Sequence, residues 1–445
     1  MNVFKRLLLL QIILVASLTA AAYDFIVDSV AYSVDVGDST IAHVDKNYAM
    51  HKLLDHLDVP NQVTYEGNTY KVKSIFPDAF NGCKALTRLT VADGILYIGS
   101  NAFYGCNALE SVVIGDSVYF IGAESFLRCS ALKSLVWGKS ISFIGVSAFA
   151  YCGLDSIDVP SWVTSLSEGV FNCSSLKWAR LPEGMRSVPR YAFAYCKSLR
   201  EVELPNSLKM IDNSAFAQSG LESVIIPDSV TTIGANAFTG CRQLRSVKLS
   251  KMLVGMNLWS FASCVSLESI NLPESLRFVS EQCFMNCTSL RRVVFGDSIT
   301  AIHDLAFRNC ASLDTLVLPK TLTGIGQQAF EGCAGLKTII SKVSDINQLN
   351  LGYNVFNGVN HNNCVVYVPA KAINDYRNAK HWKEFKHILV WGDVTGDDNV
   401  DISDINTVIN IMLGKSDQDN ADVTGDGVVD IADVNAIINA MLGKE

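Results

Sequence analysis

The sequence is poor in histidine and has no excess of basic residues. Its seven histidines are scattered along 445 residues, and no pairing typical of a nucleophile with its base, or of a general acid with a general base, can be recognised. Lysine and arginine total 36 against 44 aspartates and glutamates, which gives a formal net charge of −8. No basic stretch typical of a nucleic-acid interface is present. We therefore expect a protein that is not an enzyme and does not bind nucleic acid.

Long apolar runs are also scarce, because the one at the N-terminus is followed by no other of comparable length. Lys5 and Arg6 precede this run, and the small residues Ala20–Ala22 follow it. This order is typical of a secretory signal at residues 1–22, and the run is too short to span a membrane comfortably. We therefore expect a secreted protein, extracellular or associated with the cell surface, with no membrane span once the signal is cleaved.

Most of the chain consists of a repeat of 22 or 23 residues, for which the segment Leu221–Cys241 is representative. A leucine is followed seventeen residues later by a phenylalanine, and this pair occurs eleven times between Leu86 and Phe330. Apolar residues alternate after the leucine, proline or glycine commonly turns the chain, and a second short apolar pair precedes the phenylalanine. The period and the pattern predict a mainly β solenoid with two short strands and one helical or 3-10 turn in each coil.

The repeat also sets the expected domain boundaries. Residues 74–361 are expected to form the solenoid. Residues 23–73 contain strand-like segments without the repeat and are expected to cover the first coil as an N-terminal β-rich cap. Residues 362–391 break the repeat with a strand and an amphipathic helix, and are expected to close the other end. Residues 392–445 differ in composition and form a separate module.

Eleven of the thirteen cysteines fall two or three residues after a repeat phenylalanine. A residue that recurs once per coil forms a column inside a solenoid, where cysteine behaves as a small buried hydrophobe. Ser219 takes this position in one coil, which a scheme of paired cysteines would not predict. We therefore expect buried free thiols, with disulfides as the alternative that a secreted chain allows.

The repeat resembles the leucine-rich repeats of the BspA-like type, whose pattern LxxLxLPxSVxxIGxxAFxxC recurs here over some 280 residues. The resemblance implies a leucine-rich-repeat solenoid in a secreted or surface-exposed protein, and several members of that group act as adhesins. It supplies no catalytic residues. Function is therefore expected on side chains that point outward from the coils.

Outward positions lie two and four residues after each repeat leucine. Most carry small or β-branched residues, but Trp178, Arg180 and Glu203 cluster in the middle of the array with Asp158 and Glu201. An exposed tryptophan beside an arginine is typical of a binding anchor, here for an unknown protein or glycan. The alternative is the ordinary variation of an exposed surface.

The chain from Gly392 onward carries twelve acidic and two basic residues. Two segments in it, beginning at Asp393 and Asp422, repeat with an offset of 29 residues, and each opens with a twelve-residue loop of calcium-binding spacing. Ca²⁺ prefers six to eight oxygen ligands, which positions 1, 3, 5, 7, 9 and 12 of such a loop supply. We expect two Ca²⁺ ions, held by Asp393, Thr395, Asp397, the carbonyl of Asn399, Asp401 and Asp404, and by Asp422, Thr424, Asp426, the carbonyl of Val428, Asp430 and Asp433.

Each loop is followed by apolar residues at helical spacing, such as Ile405 and Val408 after the first. A duplicated loop and helix, without an entering helix before each loop, resembles a type I dockerin, a small all-α module with two EF-hand-like calcium loops. The resemblance implies calcium-dependent docking onto a cohesin-like partner through loop positions 10 and 11 and mid-helix positions: Ile402, Ser403, Ile409, Asn410, Ile431, Ala432, Ile438 and Asn439. The near-identity of the two halves would allow two docking orientations. The hydroxyl pair of clostridial dockerins is absent, which leaves the type of partner open.

Together these patterns predict a secreted, non-enzymatic recognition or adhesion protein. A leucine-rich-repeat rod would bind a macromolecule, and the calcium-loaded dockerin would attach it to a cohesin-like partner. One alternative is an accessory or enzymatic subunit of an extracellular polysaccharide-degrading complex, because dockerins usually carry enzymes. The other is an architectural spacer with no ligand on the repeats.

Overall fold

The computed structural model describes residues 23–47, 51–415, 421–424 and 428–442, so the predicted signal lies outside the described residues. The chain divides into two compact units, residues up to Glu222 and residues from Ser223 onward. In each unit short parallel strands stack coil upon coil, and helices are few. The predicted fold class, a mainly β solenoid with a small helical C-terminal module, is confirmed.

The first unit begins with a mixed sheet that precedes the regular coils. Its strands are β1 (Phe25–Val27), β2 (Val30–Val34), β3 (Ile41–Asp45), β5 (Gln62–Tyr65) and β6 (Asn68–Ile75), whereas β4 (His56–Val59) pairs with a strand of the first regular coil instead. Strands β1, β2 and β3 pair antiparallel in that order. Strand β6 then pairs in parallel with β3 and antiparallel with β5.

The regular coils of the first unit contribute two strands each, one to each of two rows. The first row contains β7 (Arg88–Val91), β9 (Ser111–Val113), β11 (Ser134–Val136), β13 (Ser156–Asp158), β14 (Trp178–Arg180) and β16 (Glu201–Glu203). The second row contains β8 (Tyr97–Ile98), β10 (Phe120–Ile121), β12 (Phe143–Ile144), β15 (Ser187–Val188) and β17 (Met210–Ile211). Strand β4 pairs in parallel with β7, and β6 of the initial sheet pairs in parallel with β8, so these two strands cover the first coil in both rows.

The second unit repeats this arrangement. Its first row contains β18 (Ser223–Ile225), β20 (Ser246–Lys248), β22 (Ser269–Asn271), β24 (Arg292–Val294), β26 (Thr315–Leu318), β28 (Thr338–Ser341), β30 (Val365–Val368) and β31 (His387–Val390). Its second row contains β19 (Thr232–Ile233), β21 (Gly255–Met256), β23 (Phe278–Val279), β25 (Ala301–Ile302), β27 (Gly324–Ile325) and β29 (Asn350–Leu351).

The helices whose bounds are described lie in the second unit. Short 3-10 helices occur at Ile346–Gln348, Ala370–Ala372 and Trp382–Glu384. The α-helices are α1 (Ile373–Asn378), α2 (Ile402–Met412) and α3 (Ile431–Met441). Helix α1 lies between the last two strands of the first row, whereas α2 and α3 follow the two predicted calcium loops.

Pairing between coils joins residues 22 or 23 positions apart, as in Ser111 with Ser134 and Ser156 with Trp178. This is the period of the sequence repeat. Each inward side chain therefore stacks on its counterpart in the next coil, and one coil buries the apolar face of another.

The core of each unit is a column of stacked phenylalanine rings beside a column of thiols. Adjacent rings lie 5.2 to 6.1 Å apart from Phe80 to Phe216 in the first unit. They lie 5.0 to 5.9 Å apart from Phe238 to Phe356 in the second. All thirteen cysteines are free, and all but Cys173 are buried, as the column pattern predicts.

The thiols also donate hydrogen bonds to the backbone of a neighbouring coil. The Cys106 thiol donates to the carbonyl of Phe80 at 3.2 Å, and the same contact recurs along the column. The segment around each phenylalanine is a turn with left-handed residues on both sides, such as Glu124 and Arg128 around Phe126. Its N–H groups bond to the next coil, as Phe126 does to Ala148 at 2.9 Å. The expected helical or 3-10 turn is thus a turn with hydrogen bonds three residues apart, such as Leu127 N–H to the Glu124 carbonyl at 3.1 Å, and it contains left-handed residues.

Candidate functional site

The C-terminal module, residues from Gly392 onward, places both predicted calcium loops at helix N-termini. Asp401, position 9 of the first loop, is the N-cap of α2, and Asp404, position 12, completes a capping box with it. Asp430 and Asp433 do the same for α3. Each carboxylate thereby satisfies backbone N–H groups that a helix leaves unpaired in its first turn. The helices pack through a small apolar core formed by Val394, Ile405, Val408, Ala421, Val423, Val434 and Ile437.

The first loop closes around two buried carboxylates. Asp393 accepts backbone N–H bonds from Gly396 at 2.6 Å, Asp397 at 3.1 Å and Asp398 at 2.7 Å. Asp404 is fully buried and accepts from Val394, Thr395 and Asp401 at 2.8 to 2.9 Å. Asp401 is half-buried, and hydrogen bonds from Ser403 hold the pKa of its carboxyl below the usual range.

The second loop has the same frame where it is described. Asp433 is fully buried and accepts from the backbone N–H of Thr424 at 2.8 Å and of Asp430 at 2.9 Å. The Thr424 hydroxyl donates to Asp422 at 3.4 Å. The predicted ligand Asp426 lies outside the described residues, and Val428 would contribute its carbonyl while its side chain is exposed.

The chemistry of the first loop fits Ca²⁺. Asp393 and Asp404 are both buried, and among the described residues no cationic side chain forms an ion pair with either. A buried carboxylate without a cation is unfavourable, and a hard divalent ion would neutralise it. As placed, no three acidic, histidine or cysteine side chains of the described chain converge enough to hold an ion, because these carboxylates face backbone N–H groups.

The predicted partner-binding residues lie on matching surfaces of the two halves. Ile402 and Ile431 are each 61% exposed, and Ile409 and Ile438 are 38% and 37% exposed. Asn410, Ala432 and Asn439 are exposed as well, and Ser403 is half-buried. The two halves therefore present the same side chain at three of these four positions, with nearly equal exposure of the paired isoleucines, and differ where Ser403 corresponds to Ala432.

Four further apolar residues on these surfaces were not predicted from the sequence as partner-binding residues. Met412 and Leu413 at the end of α2 are exposed, and so are Met441 and Leu442 at the end of α3. Their spacing of three and four residues from Ile409 and Ile438 places them on the same helix face. That spacing is the signal that would have found them.

The module follows the last strand without an intervening linker. The backbone N–H of Trp391, next to β31, donates to the Val368 carbonyl at 2.7 Å. Its indole N–H donates to the Val423 carbonyl inside the module at 3.0 Å. The backbone N–H of Asp393, the first predicted ligand, donates to the Val390 carbonyl at 3.3 Å. One tryptophan therefore joins the strand row to the module.

The module also lies against an outward apolar stripe of the last coils, formed by Val317, Ile340, Tyr367 and Leu389, which pair in register. Ile340 is 5% exposed, whereas Ile225 at the same outward position of another coil is 67% exposed. A cavity of about 330 Å³ between stripe and module is lined by Val317, Ile340, Lys342, Trp391, Val423, Thr424, Ala436 and Asn439. Burial raises the pKa of Tyr367, and the Asp422 carboxylate raises it further.

The predicted ligand-binding residues of the repeats are brought together on β14 and β16. Arg180 lies 2.8 Å from Glu203 and 3.2 Å from Asp158, and its guanidinium lies over the Trp178 ring at 5.1 Å from the centroid. These side chains satisfy one another across three strands. Beside them lies a groove of about 710 Å³ that contains the exposed Trp162 and a ladder of turn residues: Pro160, Pro182, Pro205 and Asn206.

A second outward surface of the first unit was not predicted. The outward residues of β8, β10 and β12 are Tyr97, Phe120 and Phe143, and the last two rings stack at 4.8 Å. Phe143 and the neighbouring Tyr119 are exposed. Two-residue strands are too short to show an alternation in the sequence, so no pattern marked this aromatic column.

Comparison with known proteins matches two families. The model of the BspA type leucine rich repeat region matches residues 61–177, 164–291 and 257–378, and that of the dockerin type I domain matches residues 391–442. No curated protein matches the chain. No helix of the described residues has the length and apolar character needed to cross a membrane.

Among solved structures, the chain is similar to a leucine-rich repeat protein from Bacteroides ovatus. The two are 31% identical over 82% of this chain and 98% of that chain, with a TM-score of 0.63. A leucine rich cell surface protein from Faecalibacterium prausnitzii is 25% identical over 75% of this chain and 96% of that chain, with a TM-score of 0.45.

Proposed function

The chain belongs to the BspA-type leucine-rich repeat family and ends in a type I dockerin domain, and from this premise we propose a secreted, non-enzymatic recognition protein. The repeats bind a protein or glycan, and the dockerin, loaded with Ca²⁺, attaches the chain to a cohesin-like partner. The observation that carries this proposal is the pair of matching apolar surfaces on the C-terminal module. A leucine-rich-repeat solenoid and a dockerin are both non-catalytic types of domain.

The two surfaces support partner binding because large apolar side chains in solvent are unfavourable unless something covers them. Ile402 and Ile431 are more than half exposed, as are Leu413 and Leu442. Contiguous apolar patches on a small module mark interaction sites more often than chance variation does. Their duplication supports a partner that binds either half by the same contacts.

Calcium enters the proposal through the buried carboxylates. We propose that one ion is held by the predicted ligands of each loop, so the module carries two. The ion supplies the positive charge that lets Asp393, Asp401 and Asp404 share one loop. The capping bonds of Asp401 and Asp404 to α2 then connect ion binding to the position of the helix that carries Ile409.

The ligand of the repeats is proposed to bind beside Trp178, Arg180 and Glu203. Arg180 is already paired with two carboxylates. The neighbouring groove, which is lined by Trp162 and prolines, therefore offers a ligand more accessible surface than the Arg180 cluster does. An exposed tryptophan above a concave surface suits an apolar side chain or a sugar ring.

A capture experiment tests the docking part of the proposal. The mature chain, immobilised, is exposed to an extracellular fraction of the producing organism with Ca²⁺ or with chelator, and the bound proteins are identified. We expect capture of a cohesin-bearing protein only with Ca²⁺. The double variant Ile409→Asp with Ile438→Asp should lose it, and Ile225→Asp, an equally drastic change on the repeats, should keep it. Equal capture in chelator would refute calcium-dependent docking.

Assays of the same chain on plant and host polysaccharides test the non-enzymatic part. No hydrolysis is expected. Robust hydrolysis that persists in the docking double variant would favour an enzymatic subunit instead.

A further inference from the structure

Arg377, on helix α1 of the last coils, connects the repeats to the first calcium loop. Its guanidinium donates to both carboxylate oxygens of Asp398, at 2.9 and 3.0 Å. The same guanidinium donates to the carbonyl of Ile388 in β31 at 3.1 Å. Arginine suits this arrangement because its planar fork bonds a carboxylate in two places and still has donors left.

Asp398 occupies an unfavourable backbone conformation. It is position 6 of the first loop, where the chain must turn sharply, and its φ is +64°. A residue with a Cβ pays for a left-handed conformation that glycine adopts freely. The equivalent residue of the second loop, 29 positions later, is Gly427. The first loop therefore needs a stabilising contact at a position where the second loop does not.

The backbone of Asp398 in turn holds a predicted calcium ligand. Its N–H donates to Asp393, position 1 of the loop, at 2.7 Å. A continuous series of contacts thus runs from the Ile388 carbonyl through Arg377 and Asp398 to the Asp393 carboxylate. Arg377 holds the pKa of the Asp398 carboxyl below its usual range, as expected for a carboxylate paired with a guanidinium.

We propose that Arg377 is a positioning residue for the first calcium loop. By holding Asp398 in its left-handed conformation, it keeps the Asp398 N–H on Asp393 and so raises the affinity of this loop for Ca²⁺. The second loop has a glycine at the equivalent position, Gly427, and needs no such contact there, so the two loops bind Ca²⁺ under different control. This inference rests on the calcium binding proposed above.

A simple charge effect predicts the opposite sign, which makes the inference testable. Arg377 is a cation close to a cation site, and its removal leaves the Asp398 carboxylate without a partner. On charge alone, Arg377→Ala would make the loop more negative and strengthen Ca²⁺ binding. If the effect of Arg377 on the conformation of Asp398 is larger than this charge effect, Arg377→Ala weakens Ca²⁺ binding.

The experiment is a calorimetric Ca²⁺ titration of the mature full-length chain. The titration is carried out in an Asp422→Ala background, in which the second loop has lost a predicted ligand. The measured heat of Ca²⁺ binding then comes from the first loop. We expect Arg377→Ala to bind Ca²⁺ about three- to tenfold more weakly, which is the scale of one charge-assisted pair together with a left-handed residue. Arg377→Lys keeps the positive charge but lacks the planar guanidinium. Its Ca²⁺ affinity should lie between that of the chain with Arg377 and that of Arg377→Ala.

Two controls separate positioning from general damage. Arg308→Ala removes a comparable arginine paired with Glu331 elsewhere in the unit, at 3.5 Å, and should leave the affinity unchanged. In an Asp393→Ala background, which reports the second loop, Arg377→Ala should also have no effect.

Asp398→Gly supplies the decisive variant, because glycine adopts the left-handed conformation without help. In that background, Arg377→Ala should cause no further loss. Unchanged or tighter binding by Arg377→Ala alone would overturn the proposal, and so would a loss that persists in the Asp398→Gly background. A wild-type chain that binds no Ca²⁺ would refute the calcium proposal itself, a result distinct from either of these.

Discussion

Two glycines of one coil should respond in opposite ways to the same substitution. A Cβ added to Gly324, in β27, would lie 3.9 Å from its nearest neighbour, the carbonyl oxygen of Asn350. Two residues later, a Cβ added to Gly326 would lie 2.4 Å from the backbone nitrogen of Asp304 and 2.6 Å from the carbonyl carbon of His303. Gly326→Ala therefore forces two backbones apart, whereas Gly324→Ala fills open space.

The expected effects follow from these distances. Ordinary contacts of a Cβ are at least about 3.4 Å, so Gly326→Ala requires a shift of nearly 1 Å, and overpacking of this kind costs about 1–3 kcal/mol. Gly324→Ala reduces the entropy of the unfolded chain and should stabilise by about 0.4–1 kcal/mol. The two variants should then differ by roughly 2–3 kcal/mol in the local free energy of opening.

Hydrogen exchange of the amides in residues 301–330 measures that free energy for one coil, whatever the number of unfolding steps of the whole chain. Gly326→Ala should accelerate exchange in this coil, and Gly324→Ala should slow it or leave it unchanged. Equal exchange in both variants would refute the reasoning. It would show that the coil accepts a Cβ at this position without cost.

The remaining predictions concern thiols, calcium and the repeat surface. Burial raises the pKa of Cys129, Cys196 and Cys333 to about 12, so a thiol reagent at pH 8 should label none of the three until the chain is unfolded; fewer than thirteen titratable thiols in denaturant would indicate disulfides. Because these folded-state pKa values lie above the unfolded value of 9.0, the thiols hold their protons longer in the folded chain. Stability should therefore fall as pH rises from 9 towards 12, by about 1.4 kcal/mol per pH unit for each thiol, and denaturant titrations that show no fall would contradict this. Chelation of Ca²⁺ should lower the stability of the C-terminal module by about 2.7 kcal/mol per loop if free Ca²⁺ exceeds its dissociation constant a hundredfold, and equal melting with and without chelator would exclude a structural ion. Trp178→Ala should weaken ligand binding to the repeats without a change in melting temperature, and unchanged binding would assign Trp178 to ordinary surface variation.

The strand register could be predicted from the sequence because each position of a coil must stack on the equivalent position of the next coil. Ser223 and Ile225, two and four residues after Leu221, are the ends of β18, as the outward positions require. The turns could not be predicted in the same way. Bulky residues such as Trp259 and Leu305 adopt left-handed conformations that local propensity reserves for glycine or asparagine. Hydrogen bonds to the next coil impose these conformations, and a single repeat unit does not contain them.

The calcium loops could be predicted because their ligands are local. Spacing within twelve residues defines positions 1 to 12, and the same residues cap the helices in the structure. The contact between Arg377 and Asp398 has no such signature, because it joins a residue of the last coils to a residue of the C-terminal module, and the two belong to different repeats. Only the folded chain shows that an arginine of the last coils faces Asp398, whose backbone is left-handed.

The same residue type at an outward position can be exposed to solvent in one coil and covered in another. Ile225 and Ile340 stand at the same outward position of two coils, yet one is exposed and the other is covered. A β-branched residue at this position is thus either a bland strand surface or one side of an interface, and the sequence does not distinguish them. Since Trp391 bonds to both the strand row and the module, the module has no free tether on the repeat side. A partner bound to Ile402 and its neighbours would therefore be held in a fixed direction from the last coils.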